Sequence, residues 1–498
     1  MSGRVIVLRA DAAHLPLPDG SVDLIVTSPP YFGQRDYRDG GESLEGQIGN
    51  EGTPAEYVAA LLRCTQEWMR VLKPSGSIFV NLGDKYSQRV ALRSSSHQDG
   101  LFPDRPELRK DWKRDRAAGL ARMPDQNIIS DDGSYVAEKS LMQLPQRYSI
   151  ACTDQLGLIL RRDNIWHKTS GMPESVDDRC TTRHEYVFHL TREPQYFSAI
   201  DEIREPHAMK PQRRPNGHKE RQRLGVLPAQ TWSTSQRGEK GTDGHPLGKA
   251  PGSVWEIPIA PLVVPERIEH AHCCGGRKRD GCQDGLGHHA AFPPDLARKA
   301  ILGWSPSGIC LECGEGRFPV THRDAVFLRP GDAPGRNALN RDAAHGADRR
   351  AGTHVINLSM IVGYACACTP YTDHPGTAGR ERTGQGYARE TGRDAHPHGG
   401  VGTLPRTGPW REYHLERWTP PPTRRAVVLD PFGGTGTSAL VASVLGRTGI
   451  TLDRSADYCR LARWRTTDPG ERARALGVPK PPPVMDGQDS LFDFDESA

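Results

Sequence analysis

Two short apolar, β-branched runs bounded by turn residues open the chain, Val5–Leu8 and Val22–Val26. Each has the length and composition of a buried strand. Thr53-Pro54-Ala55-Glu56 then reads as a helix start: a Thr cap, a proline in the first turn, and Glu three residues after the Thr. Tyr57, Val58, Leu61, Leu62, Trp68, Met69 and Leu72 continue it, until Lys73-Pro74-Ser75-Gly76 stops the pattern and Ser77–Leu82 reads as the next strand. Strand, helix and strand at this spacing predict an α/β fold with a doubly wound, mostly parallel sheet.

The pattern then lapses and returns several times. Residues 88–139 lose apolar periodicity and read as an insertion or mobile loop. Order resumes over 140–203, with Leu141–Leu160, Asn164–Lys168 and Glu185–Leu190. Residues 204–251 form a polar insertion, with ten Lys/Arg against four acids between Arg204 and Lys249. Core patterning returns over 252–303, where Phe292–Leu302 is a helix with Pro293 and Pro294 at its start and Gly303 at its end. Residues 304–423 are another insertion, rich in Gly, Arg, His and Asp, with cysteines at both ends. The last ordered unit, 424–467, comprises a strand (Ala426–Leu429), a Gly-rich turn (Asp430–Thr437), a helix (Ser438–Leu445) and a strand (Thr448–Asp453). Residues 468–498 read as a disordered tail, Pro-rich and then acidic after about Lys480.

Composition agrees with a core carrying long polar insertions: 53 Gly and 41 Pro in 498 residues, with a mean hydropathy of -0.62. A net charge of +4 makes the chain no polycation, so any nucleic-acid surface must be local. No apolar run approaches the ~18 residues of a membrane span, and Val5–Leu8 is too short for a signal-peptide core, so a cytoplasmic protein is expected. In a reducing compartment, closely paired members of the eleven cysteines suit metal better than disulfides.

Two motifs carry chemistry. Thr27-Ser28-Pro29-Pro30-Tyr31 directly follows the Val22–Val26 strand. The proline pair fixes the backbone and leaves the Pro29 carbonyl free, while Ser28 adds a hydroxyl and Tyr31 an aromatic face. Such acceptors could hold the hydrogens of an exocyclic amino group, and the ring could stack on a base flipped out of its duplex. The plain alternative is a loop turn with a buried tyrosine. Asp430-Pro431-Phe432-Gly433-Gly434-Thr435-Gly436-Thr437 follows one strand and opens a helix, and Asp453 ends the next strand 17 residues past Gly436. This is the layout of a nucleoside-binding turn, with glycines for close approach and an acid for ribose hydroxyls.

These residues resemble the amino-methylating DNA methyltransferases of the beta arrangement, in which the catalytic motif precedes the cofactor motif. Ser28–Tyr31 matches the family's [Ser/Asn/Asp]-Pro-Pro-[Tyr/Phe], and Asp430–Thr437 matches its Asp-Pro-Phe-x-Gly-x-Gly-Thr. His288, Phe292 and Pro293 match a His-x-x-x-Phe-Pro segment that helps enclose the cofactor, and the turn at Asp11 and the strands around Trp166–Lys168 and Glu185–Leu190 are similar too. The resemblance implies S-adenosylmethionine as cofactor, double-stranded DNA as substrate and, as a possible partner, a cognate restriction endonuclease. It makes residues 1–87 the catalytic half and 424–467 the cofactor half. Cofactor contacts are expected from Asp11, Phe292, Pro293, Asp430, Pro431, Phe432, Gly433, Gly434, Gly436, Thr437 and Asp453. Ser28 at the head of the motif favours cytosine N4 over adenine N6 as the target. Carbon-5 methylation needs a nucleophilic Cys, usually after Pro, and the sequence has no Pro-Cys. A methyltransferase acting on RNA or protein, or a zinc-containing DNA-binding protein with a decayed active site, are the rival readings.

Cys310-x-x-Cys313 and Cys366-x-Cys368 are two close pairs of the kind a structural zinc ribbon uses. A looser group, His270, His272, Cys273, Cys274 and Cys282, matches no regular metal spacing. For DNA backbone contacts the expectation falls on 204–251, with Arg213, Arg214, Lys219, Arg221 and Arg223. Arg109, Lys110, Trp112, Lys113, Arg114 and Arg116 form a second basic cluster that could equally be a solvated loop.

Overall fold

The structure is a computed structural model that describes residues 3–34, 37–39, 42–87, 139–171, 174, 176–205, 247, 249–260, 262, 264–265, 292–328, 354–373 and 411–479. Both basic clusters, the His270–Cys282 group and His288 lie outside the described residues.

The main sheet has eight strands: β1 (Arg4–Arg9), β2 (Val22–Thr27), β3 (Leu72–Leu82), β4 (Ile159–His167), β5 (His184–Thr191), β6 (Val254–Glu256), β13 (Val427–Asp430) and β14 (Thr448–Asp453). The insertion before β13 holds β7 (Ile309–Cys310), β8 (Phe318–Leu328), β9 (His354–Ala365), β10 (Tyr371–Asp373), β11 (Arg411–Tyr413) and β12 (Thr423–Arg424). Across the sheet the order is β1-β14-β13-β2-β3-β5-β4-β6. Every neighbouring pair is parallel except those made by β5, which runs antiparallel to both β3 and β4.

Helices cover both faces, which explains why all six residues of β2 are buried. On one face, α1 (Pro54–Val71) and α2 (Leu144–Asp154) bring Tyr57, Leu61, Trp68 and Tyr148 onto Ile25, Ile78, Val80 and Leu429. On the other, α3 (Pro294–Trp304) and α4 (Thr437–Val444) bring Ile301 and Leu440 onto Leu24, Val26, Phe79 and Val428. The α1 start is the expected capping box: Thr53 Oγ1 accepts from the Glu56 amide at 3.1 Å, and Glu56 Oε2 accepts from the Thr53 amide at 2.9 Å.

Two details differ from the sequence expectation. Lys73–Gly76 does not separate helix from strand, because β3 begins at Leu72. These four residues bulge out of the ladder as its register moves from Val22–Leu72 to Leu24–Ser77, and Lys73 pairs with Asp23. The ordered chain also runs past 467. After α5 (Ala456–Thr467), Asp468 caps α6 (Pro469–Leu476), which buries Ala473, Ala475 and Glu471. With only alanines on its apolar side, α6 gives little hydrophobic signal. Its anchor is ionic: Glu471 meets the buried Arg465 at 3.0 Å.

β1, from the start of the chain, pairs with β14, while β13 lies between β14 and β2. Segments from opposite ends of the sequence are therefore interleaved. The carboxyl ends of β2, β13 and β14 come together at one edge of the sheet.

Candidate active site

Ser28–Tyr31 leaves the end of β2, and Pro431–Thr437 leaves the end of β13 beside it. The joint is a hydrogen bond from Thr27 Oγ1 to Asp430 Oδ1 at 2.7 Å. The Asp430 carboxylate also accepts from the Phe432 amide at 3.2 Å, and the Ser438 hydroxyl lies 2.8 Å from its other oxygen. Burial pushes the Asp430 carboxyl up to about 6, against the lowering effect of these donors. With both oxygens engaged inside the protein, Asp430 acts as a brace between the two motifs and does not line the cavity beside them.

That cavity, about 780 Å³, is continuous from one motif to the other. Ser28, Pro29, Pro30 and Tyr31 line one end, while Pro431, Phe432, Gly433, Gly434, Thr437 and Asp453 line the other, with Asp11 and Phe292 on the wall. Its size suits a small-molecule site. Of the expected cofactor contacts, Pro293 and Gly436, like Asp430, do not line it: Pro293 caps α3 and Gly436 caps α4.

The Gly-rich turn is held from several sides. Gly433 packs so tightly on β14 that a Cβ there would sit 1.6 Å from Thr451 Oγ1. Asp453 takes the Gly434 amide on Oδ2 at 3.1 Å and the Ser455 amide on Oδ1 at 2.8 Å. Burial raises its carboxyl to about 6, helped by the nearby Asp430 and Asp39 charges. Beneath the turn, Arg465 Nη1 donates to Thr435 Oγ1 at 2.6 Å and Thr437 Oγ1 at 2.7 Å. Phe432 packs edge-on against Trp68 at 5.8 Å, and Trp68 Nε1 donates to the Ala12 carbonyl at 3.2 Å, which fixes the turn carrying Asp11. An acid on a strand end, a tight Gly turn and apolar walls fit a nucleoside bearing an amino-acid tail.

At the other end, the Tyr31 hydroxyl donates to Glu185 Oε2 at 2.6 Å and accepts from Asn81 Nδ2 at 2.9 Å. Burial, then the Glu185 charge, hold the phenol pKa well above its ordinary value, so Tyr31 keeps its proton. Lys168 pairs with the other Glu185 oxygen. Gly83 makes room for the ring, since a Cβ there would lie 2.8 Å from Tyr31 Cε2. The loop itself is fixed by Tyr57, whose hydroxyl donates to the Pro30 carbonyl at 2.8 Å.

Two acceptors remain open beside this network. The Pro29 carbonyl accepts no hydrogen bond among the described residues. Asn81 Oδ1 is buried with no partner. Ser28 Oγ has only contacts of 3.5 Å, to Tyr31 and Asn81. Open acceptors of this kind could take the hydrogens of an amino group. The sequence reading noted the strands of Lys168 and Glu185 but gave those residues no part in the site, and it missed Asn81 altogether. For Asn81 the available signal was a lone amide in the apolar run Ser77–Leu82, on the strand next to β2.

The Ser28–Tyr31 loop and the Gly-rich turn thus share one cavity at neighbouring strand ends, and comparison with known proteins gives the family. A family model described as DNA methylase matches residues 22–310, more than half of the chain, and the chain belongs to this family. It is similar to the Type II methyltransferase M.Cfr9I of Citrobacter freundii, 35% identical over 189 residues, which are 38% of this chain and 54% of that one. It is also similar to the Type II methyltransferase M.SmaI of Serratia marcescens, 34% identical over 205 residues, 41% of this chain and 61% of that one. The chain thus spans little more than half the length of these two relatives. A solved structure of PvuII DNA methyltransferase (cytosine-N4-specific) aligns over 96% of this chain and 91% of that chain, with 14% identity and a TM-score of 0.43.

Proposed function

We propose that the protein is a site-specific DNA methyltransferase that transfers a methyl group from S-adenosylmethionine to the exocyclic amino group of a flipped base, cytosine N4. The observation that carries this reading is the single cavity lined at one end by Ser28–Tyr31 and at the other by Phe432–Gly434 and Asp453. The bound cofactor would supply an electrophilic methyl on a sulfonium, which passes to the amino nitrogen as the carbon–sulfur bond breaks.

The chain's own residues bind, orient and exclude water. Asp453 would accept from ribose hydroxyls, and the Gly433–Gly434 backbone lets the ligand approach closely. Phe432 and Phe292 supply apolar contact. Ser28 Oγ, the Pro29 carbonyl and Asn81 Oδ1 are the acceptors for the amino hydrogens. Holding those hydrogens turns the nitrogen lone pair out of conjugation with the ring. The amino group loses one proton in the transfer, and this proton passes to water; the acceptors orient the amino hydrogens and are too weakly basic to hold it. Tyr31, tethered by Glu185 and Asn81, offers its ring to the base. Positioning and fixed dipoles supply the acceleration, with no covalent enzyme intermediate.

The target base follows from Ser28 at the head of the motif, with adenine N6 as the alternative. The substrate would be double-stranded DNA, its phosphates met by Arg213, Arg214, Lys219, Arg221 and Arg223. A cytoplasmic location fits, and no helix among the described residues is long and apolar enough to cross a membrane. The type II names of the relatives support a cognate restriction endonuclease as partner.

Nucleoside mass spectrometry of DNA from methylation-free cells expressing the protein tests the reading, and N4-methylcytosine is the expected product. N6-methyladenine would keep the site and overturn the base assignment. Ser28→Ala and Tyr31→Ala should cripple methylation while S-adenosylmethionine still binds; normal turnover in either removes the catalytic role of the loop.

A further inference from the structure

Four thiols that play no part in the cavity converge in the insertion before β13. Their Sγ atoms all lie within 4.8 Å of one another, and those of Cys310 and Cys368 are 4.0 Å apart. The first pair sits on a tight turn: the Gly314 amide donates to the Cys310 carbonyl at 3.0 Å, and the Cys310 amide to the Glu315 carbonyl at 2.9 Å. The second sits on another: the Thr369 amide donates to the Cys366 carbonyl at 3.0 Å, and the Cys366 amide to Thr369 Oγ1 at 2.9 Å. The β8–β9 hairpin joins the two turns, and its Phe318–Ala365 pairing delivers Cys366 to the side of Cys310.

We propose that Cys310, Cys313, Cys366 and Cys368 bind one structural zinc ion that fastens this insertion to the core. A tetrahedral zinc with thiolates at ~2.3 Å sets its sulfurs roughly 3.8 Å apart, close to the spacing seen here. All four cysteines are free thiols. A redox pair would need two thiols; four converging from two turns fill a tetrahedral shell and leave no open position, the form of a structural site.

The surroundings give the ion its task. Besides the cysteines, the buried apolar side chains of the insertion after Trp304, among the residues whose side chains are described, are Pro306, Ile309, Pro319 and Ala365. These few side chains give the two cysteine turns little apolar hold of their own, and a metal supplies a tie between them. The site also stands at the junction with the core. Cys310 pairs with Thr423 on β12, three residues before Ala426 and the start of β13. Tyr364, two residues before Cys366, donates to Glu202 Oε1 at 2.5 Å. The ion would therefore fix where the chain leaves α3 and where it re-enters the sheet at β13. None of the four cysteines lines the catalytic cavity. The inference is thus independent of the proposed methyl transfer.

The test uses the full chain purified under reducing conditions without chelator. Elemental analysis should find one zinc per chain, and a mercurial thiol reagent should release it, read with a metallochromic dye. Replacement by cobalt should give the visible absorption of a tetrahedral thiolate site. Cys313→Ser and Cys368→Ser should each lose the zinc while S-adenosylmethionine binding is unchanged. If these variants do not fold, mercurial release and the cobalt spectrum of the parent protein still decide. A parent protein without zinc, one holding iron instead, or zinc retained by the Cys313→Ser/Cys368→Ser double variant would each overturn the assignment.

Discussion

On the proposed reading, Asp453 makes cofactor binding a function of pH, and the size of the effect follows from its burial. Desolvation raises its carboxyl to about 6 in the ligand-free protein, with Asp430 and Asp39 adding to the rise. The sign follows directly: as pH falls through 6 the free protein takes up a proton there. A protonated carboxyl accepts ribose hydroxyls poorly, so binding must expel that proton. With a free-state value near 6 and a bound-state value near or below that of an ordinary aspartate, affinity at pH 5 should be roughly tenfold lower than at pH 7, or about 1.4 kcal/mol. Titration calorimetry with S-adenosylmethionine at both pH values measures this directly, and two buffers of different ionisation enthalpy count the protons released. Asp430 rises to a similar value, but its oxygens are taken by Thr27, Ser438 and the Phe432 amide. Asp453→Asn separates the two, and should bind weakly at pH 7 with no further loss at pH 5. A flat affinity in the parent, or the parent's slope surviving in Asp453→Asn, would refute the reasoning.

Two further outcomes follow from named contacts. Tyr31→Phe keeps the ring but loses the bonds to Glu185 and Asn81. A hydrogen bond to a charged group contributes about 1.5–3 kcal/mol, so kcat should fall about ten- to hundredfold with the cofactor Kd unchanged; an unchanged kcat would show that the tether does not matter. Glu471→Ala strands the buried Arg465 guanidinium beneath the Gly-rich turn. It should cost about 3–5 kcal/mol in urea unfolding, and a loss below about 1 kcal/mol would mean that α6 does not brace the core.

The sequence made the core strands legible because β2, β13 and β14 are short apolar runs, and a strand covered on both faces needs nothing else. The α1 cap was readable from four residues for a similar reason, since its hydrogen bonds are local. Tertiary partners were not readable. Nothing in Asp430 itself distinguishes a ligand contact from a brace; Thr27, 403 positions away, makes the difference. The antiparallel direction of β5, the bulge at Lys73–Gly76 and the ionic anchoring of α6 likewise depend on residues far away in the chain. The Ser28–Tyr31 loop announced itself through its prolines, while Asn81 and Glu185, polar positions on two strands, became visible only once the sheet order was known.

The interleaving of β1 and β2 with β13 and β14 has a consequence for synthesis. At roughly 5–20 residues per second, the ribosome takes on the order of 20–80 s between making Thr27 and making Asp430. Through that interval the edge of β2 that will pair with β13 is bare, and the cavity between the two motifs is not yet formed. Chains that stop short of β13 and β14 therefore lack this joint, and the proposed methyl transfer could begin only after Asp453 has been made. The same bare edge is the point at which a nascent-chain chaperone would be most needed.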